Sequence, residues 1–475
     1  MTRRPLAIPD PRRILRVGIV AGVLALSGVA ATFPAAAPSA NSLQRINHVI
    51  VIYQENHSFD NYFGNFPGAD GIANAGASTV QVDRDGQPYE TLPAPLANPV
   101  EGRRLPHPNI TRDLPNGPFL LNEFFSPGEQ FANQIHVFYR NQYQINEGRM
   151  DRFAAWSDGA GMAMGYWDIS DLPLYRLAQE YTLADRFFQA AFGGSFLNHH
   201  WLICACTPTF PHAPAEMVSR PLTDDPQHLD DYQVTGDGYL VNSSSAPSSR
   251  FAYSVNSPHP ADARPEQAVP NLTAPTIGDR LSAAGVSWAW YSGGWTNAIA
   301  GNPRDLFSFH QQPFAYYANY ADGTEGRALH LKDETEFLEA LGNGTLPAVS
   351  FVKPVGLDNE HPGSGNILRG QEHVAELVRA VQNSRYWNEA AIIITYDEFG
   401  GYWDHVAPPV VDRWGPGPRV PTVIVSPYAR RGYVDHTTYD TTSILKLIET
   451  RWNVAPLGSR DAAANNLTNA FDSGF

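Results

Sequence analysis

Short runs of β-branched and other apolar residues, each followed closely by polar or glycine residues, constrain the fold more than any other feature of the sequence. Four such runs occur, at residues 46–53, 286–291, 391–396 and 420–425. Runs of this length and composition are typical of strands buried on both faces. Helical patterns at 276–284 and 371–383 precede two of the runs. Helix and strand alternation predicts an α/β domain built on a parallel sheet.

Between these elements lie two long segments with little periodicity. Both are rich in Pro, Asn, Asp and Ser, and they cover residues 65–128 and 208–275. Long irregular segments in a compact domain are often functional. We expect cap-like insertions here that determine substrate specificity, with a purely decorative surface role as the alternative. The chain has 475 residues, 43% of them hydrophobic, so it can bury a large core.

The first forty residues have the composition of an export signal. Five arginines (Arg3, Arg4, Arg12, Arg13 and Arg16) precede an apolar stretch at 17–33 and an Ala- and Pro-rich zone that ends at residue 40. A membrane anchor would need about 20 strongly apolar residues, and glycines and a serine interrupt this stretch. We predict that residues 1–40 are a signal peptide, that Arg12-Arg13 indicates the twin-arginine route, and that the mature protein is periplasmic or extracellular without a stable membrane anchor.

The charge balance bears on which partners the protein can have. The formal net charge is −15 at pH 7, and a field of this sign repels nucleic acid and anionic membrane surfaces. We therefore expect no nucleic-acid partner. A phosphate-bearing substrate would have to be held locally, for example by a bound cation.

The chain has two cysteines, Cys204 and Cys206, separated by one residue. This spacing is poorly suited to an unstrained disulfide. We expect two small buried side chains here rather than a disulfide or a pair of metal ligands.

Carboxylate and amide side chains follow two of the predicted strands. Glu55 and Asn56 come after the run at 46–53, and Asp397 and Glu398 come after the run at 391–396, just before Gly400 and Gly401. Ligands of parallel α/β sheets gather at the carboxyl ends of strands. This oxygen-rich set suits Mg²⁺, Ca²⁺ or Mn²⁺, and Zn²⁺ if a histidine joins it. The alternative is a pair of solvated loop charges.

A glycine pair precedes a serine in Gly193-Gly194-Ser195. Two glycines permit a tight turn, and a helix that begins at Ser195 would direct free N–H groups and a positive dipole end toward a phosphate. Ser195 could then attack phosphorus. The alternative is that Ser195 only caps the helix.

The segment 47–64 (Asn-His-Val-Ile-Val-Ile-Tyr-Gln-Glu-Asn-His-Ser-Phe-Asp-Asn-Tyr-Phe-Gly) resembles the opening signature of the bacterial phosphoesterase family, which contains acid phosphatase A and the haemolytic and non-haemolytic phospholipases C. Further matches follow in order at 148–151, 164–166, 194–198, 360–362, 395–398, 403–405 and 417–421. The resemblance covers about residues 46–471. It implies a single phosphoesterase catalytic domain over 41–475, with an alkaline-phosphatase-like core whose mostly parallel sheet is flanked by helices.

The resemblance also implies roles for particular residues. A divalent cation would be held by Glu55, Asn56, Asp397, Glu398 and the oxygen of Ser195, the nucleophile that forms a phosphoserine intermediate. Asn198 matches a residue that contacts the bound phosphate. The leaving oxygen needs a proton, and histidine is its usual donor. His361 and His405 are the main candidates by position in the matched motifs, with His136 third.

Several functions stay open at this point. The leading hypothesis is an acid-phosphatase-like phosphomonoesterase, because Ser195 and Leu197 stand where the phospholipase branch more often has threonine and proline. The second is a phospholipase C that cleaves phosphodiester lipid headgroups. The third is an exported protein that binds phosphate or metal without turnover, and a sulfatase-like activity is the weakest.

Overall fold

An eight-stranded sheet lies at the centre of the protein in the computed structural model, which describes residues 43–100, 102–245, 248–256, 258–260 and 263–472. The predicted signal peptide lies outside the described residues. In chain order the strands are β1 (His48–Gln54), β2 (Thr182–Ala184), β3 (Trp288–Ser292), β4 (Leu331–Asp333), β5 (Val349–Lys353), β6 (Ala390–Tyr396), β7 (Thr422–Val425) and β8 (Tyr433–Asp435).

The spatial order of the strands is β4-β3-β5-β1-β6-β7-β2-β8. The first five strands in this spatial order, β4-β3-β5-β1-β6, pair in parallel with their neighbours, and so do β2 and β8. β7 is antiparallel to both β6 and β2. The predicted α/β class with a mostly parallel sheet is therefore confirmed. The run at 420–425 does form a strand, but its direction is reversed relative to β6.

Helices flank this sheet, and six of those in the described residues have eight residues or more. They are α1 (Phe138–Ile145), α2 (Pro173–Glu180), α3 (Ser195–Cys204), α4 (Glu334–Asn343), α5 (Ile367–Gln382) and α6 (Thr441–Trp452). Shorter helices occupy Phe59–Phe63, Phe153–Trp156, Ile277–Ala283, Trp295–Ile299, Glu325–His330 and Ser459–Ala463. The longest, α5, buries residues at helical spacing, namely Ile367, Gly370, Gln371, Val374, Leu377, Val378 and Val381.

The register of β1 and β6 positions the polar residues that follow them. Gln54 pairs with Tyr396 in the last step of this parallel ladder, and the Asp397 amide donates to the Gln54 carbonyl at 3.0 Å. Glu55 and Asp397 therefore leave the sheet side by side at its carboxyl end. The sequence predicts this location.

Cys204 and Cys206 form a disulfide in the structure, so the expectation of two unpaired side chains is wrong. The physical reason is local. Ala205, the C-cap residue directly after α3, has a φ of 48°. This left-handed residue brings the Cα atoms of the two cysteines to 5.1 Å. That separation is within the range that a disulfide spans.

The described parts of 65–128 and 208–275 are mostly irregular. They contain 3₁₀ turns, isolated bridges and two-residue strands such as Phe119–Leu120, which pairs with Gly165–Tyr166. Leu92 and Leu114 from the first segment are buried in the core. The predicted roles of both segments as caps remain predictions. Across the described residues, none of the helices combines the length and apolar character that crossing a bilayer requires.

Candidate active site

Three side chains from distant parts of the chain meet at the carboxyl end of the sheet. They are Glu55 after β1, Asp397 after β6 and His199 on α3, and one ligand atom from each lies within 4.8 Å of the other two. All three side chains are buried. Because buried carboxylates repel each other, this arrangement calls for a compensating positive charge.

Glu398 turns toward the same region because the chain bends sharply after β6. The Glu398 amide donates to Asp397 Oδ1 at 2.8 Å, and the Gly400 amide donates to Glu398 Oε2 at 2.7 Å. Gly400 has φ +66°, and a Cβ atom there would lie 2.1 Å from the Asn56 carbonyl oxygen. Only glycine fits this position, and the bend allows two neighbouring acidic residues to reach one site.

Asn56 reaches Glu398 through a histidine. His136 Nδ1 lies 2.6 Å from the Gln134 carbonyl oxygen and must donate to it, so Nε2 carries a lone pair. Asn56 Nδ2 donates to that nitrogen at 3.3 Å, and Glu398 Oε1 lies 3.6 Å from it. The structure thus brings together Asn56, Glu398 and His136, all three of which the sequence singles out.

Ser195 is the first residue of α3. Gly194 is the N-cap, and no side chain supplies a capping hydrogen bond there, so the alternative that Ser195 only caps the helix is wrong. Burial raises the pKa of Asp397 strongly, whereas the Ser195 hydroxyl, which faces that carboxylate, acts to lower it. Ser195 is 7% exposed, and its hydroxyl therefore lies at the edge of the buried cluster.

The glycines before Ser195 allow α3 to begin against the segment that carries His136. A Cβ atom at Gly193 would lie 2.7 Å from the backbone of Phe138, and one at Gly194 would lie 2.6 Å from the His136 carbonyl oxygen. Gly193 also has φ +86°. Two glycines are thus required for steric reasons, as the sequence indicates.

Asn198 holds this turn together. Its Oδ1 accepts from the Ala191 amide at 2.9 Å, and its Nδ2 donates to the carbonyls of Ala191 and Gly194, each at 3.2 Å. The side chain is fully buried. Its contacts are therefore with the turn before Ser195, and the phosphate contact that the family resemblance implies stays a prediction.

Glu55 is held in its charged form by several donors. Lys353, the last residue of β5, is fully buried with Nζ 3.1 Å from Glu55 Oε1. Gln311 Nε2 donates to Oε1 at 2.7 Å, and Asn359 Nδ2 donates to Oε2 at 3.2 Å. Burial acts to raise the pKa of Glu55, but Lys353 and nearby histidines outweigh it and lower that pKa to about 2.

We call Glu55, Asp397, Glu398 and Lys353 the acidic cluster. Its three carboxylates and one ammonium leave a surplus of two negative charges when all are ionised. The surroundings disfavour the ionised form of two of the carboxyl groups. Burial, followed by the charge of Glu55, raises the pKa of Asp397, and burial, followed by Asp397, raises the pKa of Glu398. A divalent cation would cancel the surplus.

Unpartnered lone pairs point to the same conclusion. Four buried acceptor atoms around the acidic cluster make no hydrogen bond of normal geometry within the described residues, namely Asn56 Oδ1, Asp397 Oδ2, Glu398 Oε1 and His199 Nε2. His199 Nδ1 lies 2.7 Å from the Ser195 carbonyl oxygen and donates to it, so Nε2 carries a lone pair. Buried polar atoms are nearly always satisfied, and this donor set fits Mg²⁺, Ca²⁺, Mn²⁺ or Zn²⁺.

Two further histidines lie beside the acidic cluster. The rings of His361 and His136 are 5.7 Å apart, and His361 Nδ1 donates to the Pro362 carbonyl at 2.7 Å. His310 packs 6.0 Å from the ring of His199. Burial lowers the pKa of His310 to about 4 despite the opposing charge of Glu55. His361 therefore lies where the sequence predicts a site histidine.

His405 lies in a different environment. Its Nδ1 is 2.6 Å from Asp60 Oδ2 and its Nε2 is 3.4 Å from Asp70 Oδ1. Arg419 bonds Asp60 through Nη2 at 3.0 Å and Asp404 through Nε at 2.9 Å. We call Asp60, Asp404, His405 and Arg419 the arginine cluster. These contacts give His405 partners outside the acidic cluster, although the sequence groups it with His361.

The sequence reasoning missed Lys353, His199, His310, Gln311 and Asn359. Two of these have a signal in the sequence. Lys353 ends an apolar strand at the same sheet edge as Glu55, and His199 follows Ser195 by four residues, which places both on one face of a helix. His310, Gln311 and Asn359 lie in irregular segments where no periodicity indicates that they meet Glu55.

Comparison with known proteins places this geometry in a family. A family model described as the phosphoesterase family matches residues 46–455. Phospholipase C A of Mycobacterium tuberculosis is 26% identical over 92% of this chain and 79% of its own length. The non-hemolytic phospholipase C of Burkholderia pseudomallei is 27% identical over 91% of this chain and 59% of its own length.

More remote matches extend the comparison. The non-specific phospholipase C6 of Arabidopsis thaliana is 28% identical over 46% of this chain and 45% of its own length. A solved structure of an alkaline phosphatase superfamily protein from Vibrio parahaemolyticus aligns with a TM-score of 0.34 and 10% identity, over 71% of this chain and 74% of that one.

The family match confirms the predicted resemblance, and with it a hydrolase that acts on phosphoric esters. It covers 46–455, which includes every residue of the acidic cluster, Ser195 and the neighbouring histidines. On this evidence, the chain belongs to the phosphoesterase family.

Proposed function

We propose that this hydrolase cleaves phosphoric esters by attack of the Ser195 hydroxyl on phosphorus, beside one divalent cation held at the acidic cluster. The observation that carries the proposal is a buried group of three carboxyl groups with one lysine, surrounded by acceptor atoms without partners. Ser195 faces Asp397 at the edge of this cluster. A hydroxyl, a cation and an ester phosphate can therefore meet there.

The cation would be held by Glu55, Asn56, Asp397, Glu398 and the Ser195 oxygen, as the family resemblance implies, and His199 and His136 offer further nitrogen ligands. When bound, a divalent ion lowers the pKa of a coordinated hydroxyl and neutralises charge on the transferring phosphoryl group. Lys353, Gln311 and Asn359 fix the orientation of the Glu55 carboxylate through their contacts with it. Such supporting contacts usually tune the affinity of a metal site.

The chain positions Ser195 for two successive displacements. The Ser195 hydroxyl loses its proton to water as Oγ forms a bond to phosphorus. The bond from phosphorus to the ester oxygen breaks, and that oxygen takes up a proton and leaves as an alcohol. A water molecule then attacks phosphorus, so that the phosphate leaves and the serine hydroxyl is restored. At the start of the ten-residue helix α3, free backbone N–H groups favour the negative charge of the phosphoryl group.

His361 is our proposed proton donor to the leaving oxygen. Its Nδ1 is bound to the Pro362 carbonyl, so its Nε2 is the nitrogen available for proton transfer. Both His136 and His361 are partly exposed. Nε2 of His136, however, lies against Asn56 and Glu398, so we assign proton transfer to His361. We do not assign this role to His405, because Asp60 and Asp70 engage both of its nitrogens.

For the ester class, we propose the phosphodiester of a lipid headgroup. Curated relatives from Mycobacterium, Burkholderia, Pseudomonas and Arabidopsis carry phospholipase C names, which supports the diester over the monoester that the sequence favours. Attack at phosphorus would then release diacylglycerol and leave the headgroup phosphate on Ser195. The second candidate is a phosphomonoester, supported by serine at 195 and leucine at 197. Export across the inner membrane is part of the proposal.

Release of p-nitrophenol from its phosphate and its phosphorylcholine ester tests this function. We expect Ser195→Ala to lower turnover by about 10⁴-fold with an unchanged circular dichroism spectrum, and Ser195→Thr to keep measurable activity because it retains a hydroxyl. Chelator should abolish activity, and added metal should restore it. Equal turnover by Ser195→Ala would remove serine from the mechanism, and hydrolysis of the monoester alone would favour the second candidate.

A further inference from the structure

Exposed aliphatic side chains are concentrated on three loops. Among the described residues, six large hydrophobic side chains expose more than half of their surface. Five of them lie on three segments that we call the rim loops, at 96–100 with 102–106, at 302–309 and at 406–413. These five are Val100 (67%), Leu105 (60%), Leu306 (53%), Val410 (101%) and Val411 (53%). Single exposed apolar residues are ordinary, but their concentration on three loops needs an explanation.

The third rim loop is joined to the turn before Ser195. It follows β6 and the acidic pair Asp397-Glu398 along the chain, and its tip is the Pro-Pro-Val-Val sequence at 408–411. Just beyond the tip, the Trp414 carbonyl accepts from the Phe192 amide at 2.7 Å. Phe192 is three residues before Ser195. Val410 therefore projects into solvent from a loop that is anchored beside the nucleophile.

The second rim loop leads directly to His310. Its tip, Asp305-Leu306, has φ values of 54° and 62°. Non-glycine residues adopt this left-handed conformation at a cost, and such residues concentrate at functional sites. Here the strained conformation leaves a leucine side chain in water. Burial of Leu306 within the chain therefore does not account for the strain.

The first rim loop is a hairpin beside His136 and His361. Val100 and Arg103 form its closing bridge, and Arg104 donates to the Asn133 carbonyl at 2.6 Å. Asn133 is three residues before His136, and a Cβ atom at Gly363, two residues after His361, would lie 3.0 Å from Asn133 Cβ. The hairpin that carries Val100 and Leu105 is thus attached to the wall that carries both histidines.

We propose that the rim loops dock onto the surface of a zwitterionic lipid bilayer, with Val410 and Val411 as the main inserting side chains. The proposal deepens the proposed function, since it rests on a lipid ester as substrate. All three loops adjoin the segments that carry Ser195, His310, His136 and His361, so docking would present lipid headgroups to the acidic cluster. The net charge of −15 disfavours an anionic surface. Apolar insertion therefore has to provide the binding energy.

Sedimentation of the full chain with vesicles tests the docking directly. With phosphatidylcholine vesicles, and with chelator present so that the lipid is not consumed, we expect binding that changes little with salt. Vesicles rich in phosphatidylglycerol should bind more weakly. We expect Val410→Ser/Val411→Ser to lower vesicle binding by about a hundredfold, because the change removes two apolar side chains from the bilayer. The same variant should hydrolyse soluble p-nitrophenyl phosphorylcholine as wild type does.

Leu329→Ser is the matched control. Leu329 is 56% exposed, close to the value for Val411. It lies in the helix Glu325–His330, which ends directly before β4, and so is at the opposite, amino-terminal edge of the sheet. This variant should bind vesicles as wild type does. Docking would be refuted if wild type does not sediment with vesicles, which is the result expected if the loops bind a protein instead. It would also be refuted if the valine variant binds vesicles as well as wild type does. If wild type binds vesicles but, with metal present, hydrolyses neither phosphatidylcholine nor p-nitrophenyl phosphorylcholine, the proposed lipid substrate would be refuted instead.

Discussion

The acidic cluster and the arginine cluster are built from similar groups but differ in charge balance. Each has buried carboxylates from the segments that follow β1 and β6: Glu55 and Asp397 in one, Asp60 and Asp404 in the other. The arginine cluster sets Arg419 and His405 against its two carboxylates. The acidic cluster has only Lys353 against three.

The consequences appear in hydrogen bonding and in protonation. In the arginine cluster, Asp60, Asp404, His405 and Arg419 have no orphaned side-chain atom among the described residues, whereas the acidic cluster and its neighbours have several. Burial acts to lower the pKa of His405, but Asp60 outweighs it and raises that pKa above its usual value. The arginine cluster is thus a closed structural cross-link. The acidic cluster instead keeps unpartnered acceptor atoms, as expected of a site that binds a cation.

The largest expected difference between the clusters is in catalysis. Asp397→Asn keeps the shape of the side chain but removes a ligand charge, and we expect it to lower turnover of p-nitrophenyl esters by about 10³-fold. Asp404→Asn, the matched change in the arginine cluster, should cost less than about tenfold. Steady-state kinetics on both proteins measure this. Similar losses in the two variants would erase the functional distinction between the clusters.

Stability should show the reverse pattern. Arg419→Met leaves two buried carboxylates without their partner, and breaking such a pair costs about 3 to 5 kcal/mol. Urea unfolding of the purified variant gives this value. Arg431→Met is the control, because Arg431 pairs with Glu180 on the surface and an exposed pair contributes about 0 to 1 kcal/mol. A loss near 1 kcal/mol for Arg419→Met would show that the arginine cluster does not act as a cross-link.

In the presence of a chelator, matched Asp→Asn changes in the two clusters should shift the free energy of unfolding in opposite directions. Without a cation, the carboxylates of the acidic cluster repel each other, so Asp397→Asn should raise the free energy of unfolding of the chelated protein by about 1 to 2 kcal/mol. Asp404→Asn should lower it, because Arg419 then loses a charged partner. Thermal unfolding in EDTA compares the variants with wild type. A destabilised Asp397→Asn in EDTA would contradict the surplus of negative charge.

The smallest expected effect is the pH dependence of the arginine cluster. Because the folded-state pKa of His405 lies above the usual histidine value of 6.5, its contribution to stability is fully present below about pH 6.5 and is lost as pH rises through the folded-state pKa. We expect the free energy of unfolding of wild type to exceed that of His405→Gln by on the order of 1 kcal/mol at pH 5.5, and the difference to be smaller at pH 9. Denaturant unfolding at both pH values measures it, and a gap that grows with pH would reverse the sign of the linkage.

The fold could be predicted where local pattern and tertiary structure agree. The buried runs at 46–53 and 391–396 match β1 and β6 to within two residues at each end, and the glycine pair marks the start of α3 at Ser195. The reversed direction of β7 could not be predicted, because residues buried on both faces have the same composition in either direction. The disulfide between Cys204 and Cys206 was missed because it depends on the φ angle of Ala205.

The site was predicted in its charged and motif-borne residues and missed in its supporting ones. Glu55, Asn56, Asp397 and Glu398 follow strands, so the sheet brings them together. His199 and Lys353 have a positional signal in the sequence, but only the structure shows that their side chains meet an acidic residue. His405 has the same kind of motif position as His361, and only its partners show that it belongs to the arginine cluster.

The metal content of the purified protein tests the central claim most directly. We predict about one equivalent of a divalent metal per chain in wild type and in Asp404→Asn, and far less than one equivalent in the Asp397→Asn/Glu398→Gln double variant, measured by inductively coupled plasma mass spectrometry after exchange into metal-free buffer. Wild type that stays active without metal, or a double variant that retains a full equivalent, would contradict the assignment of the acidic cluster as a cation site.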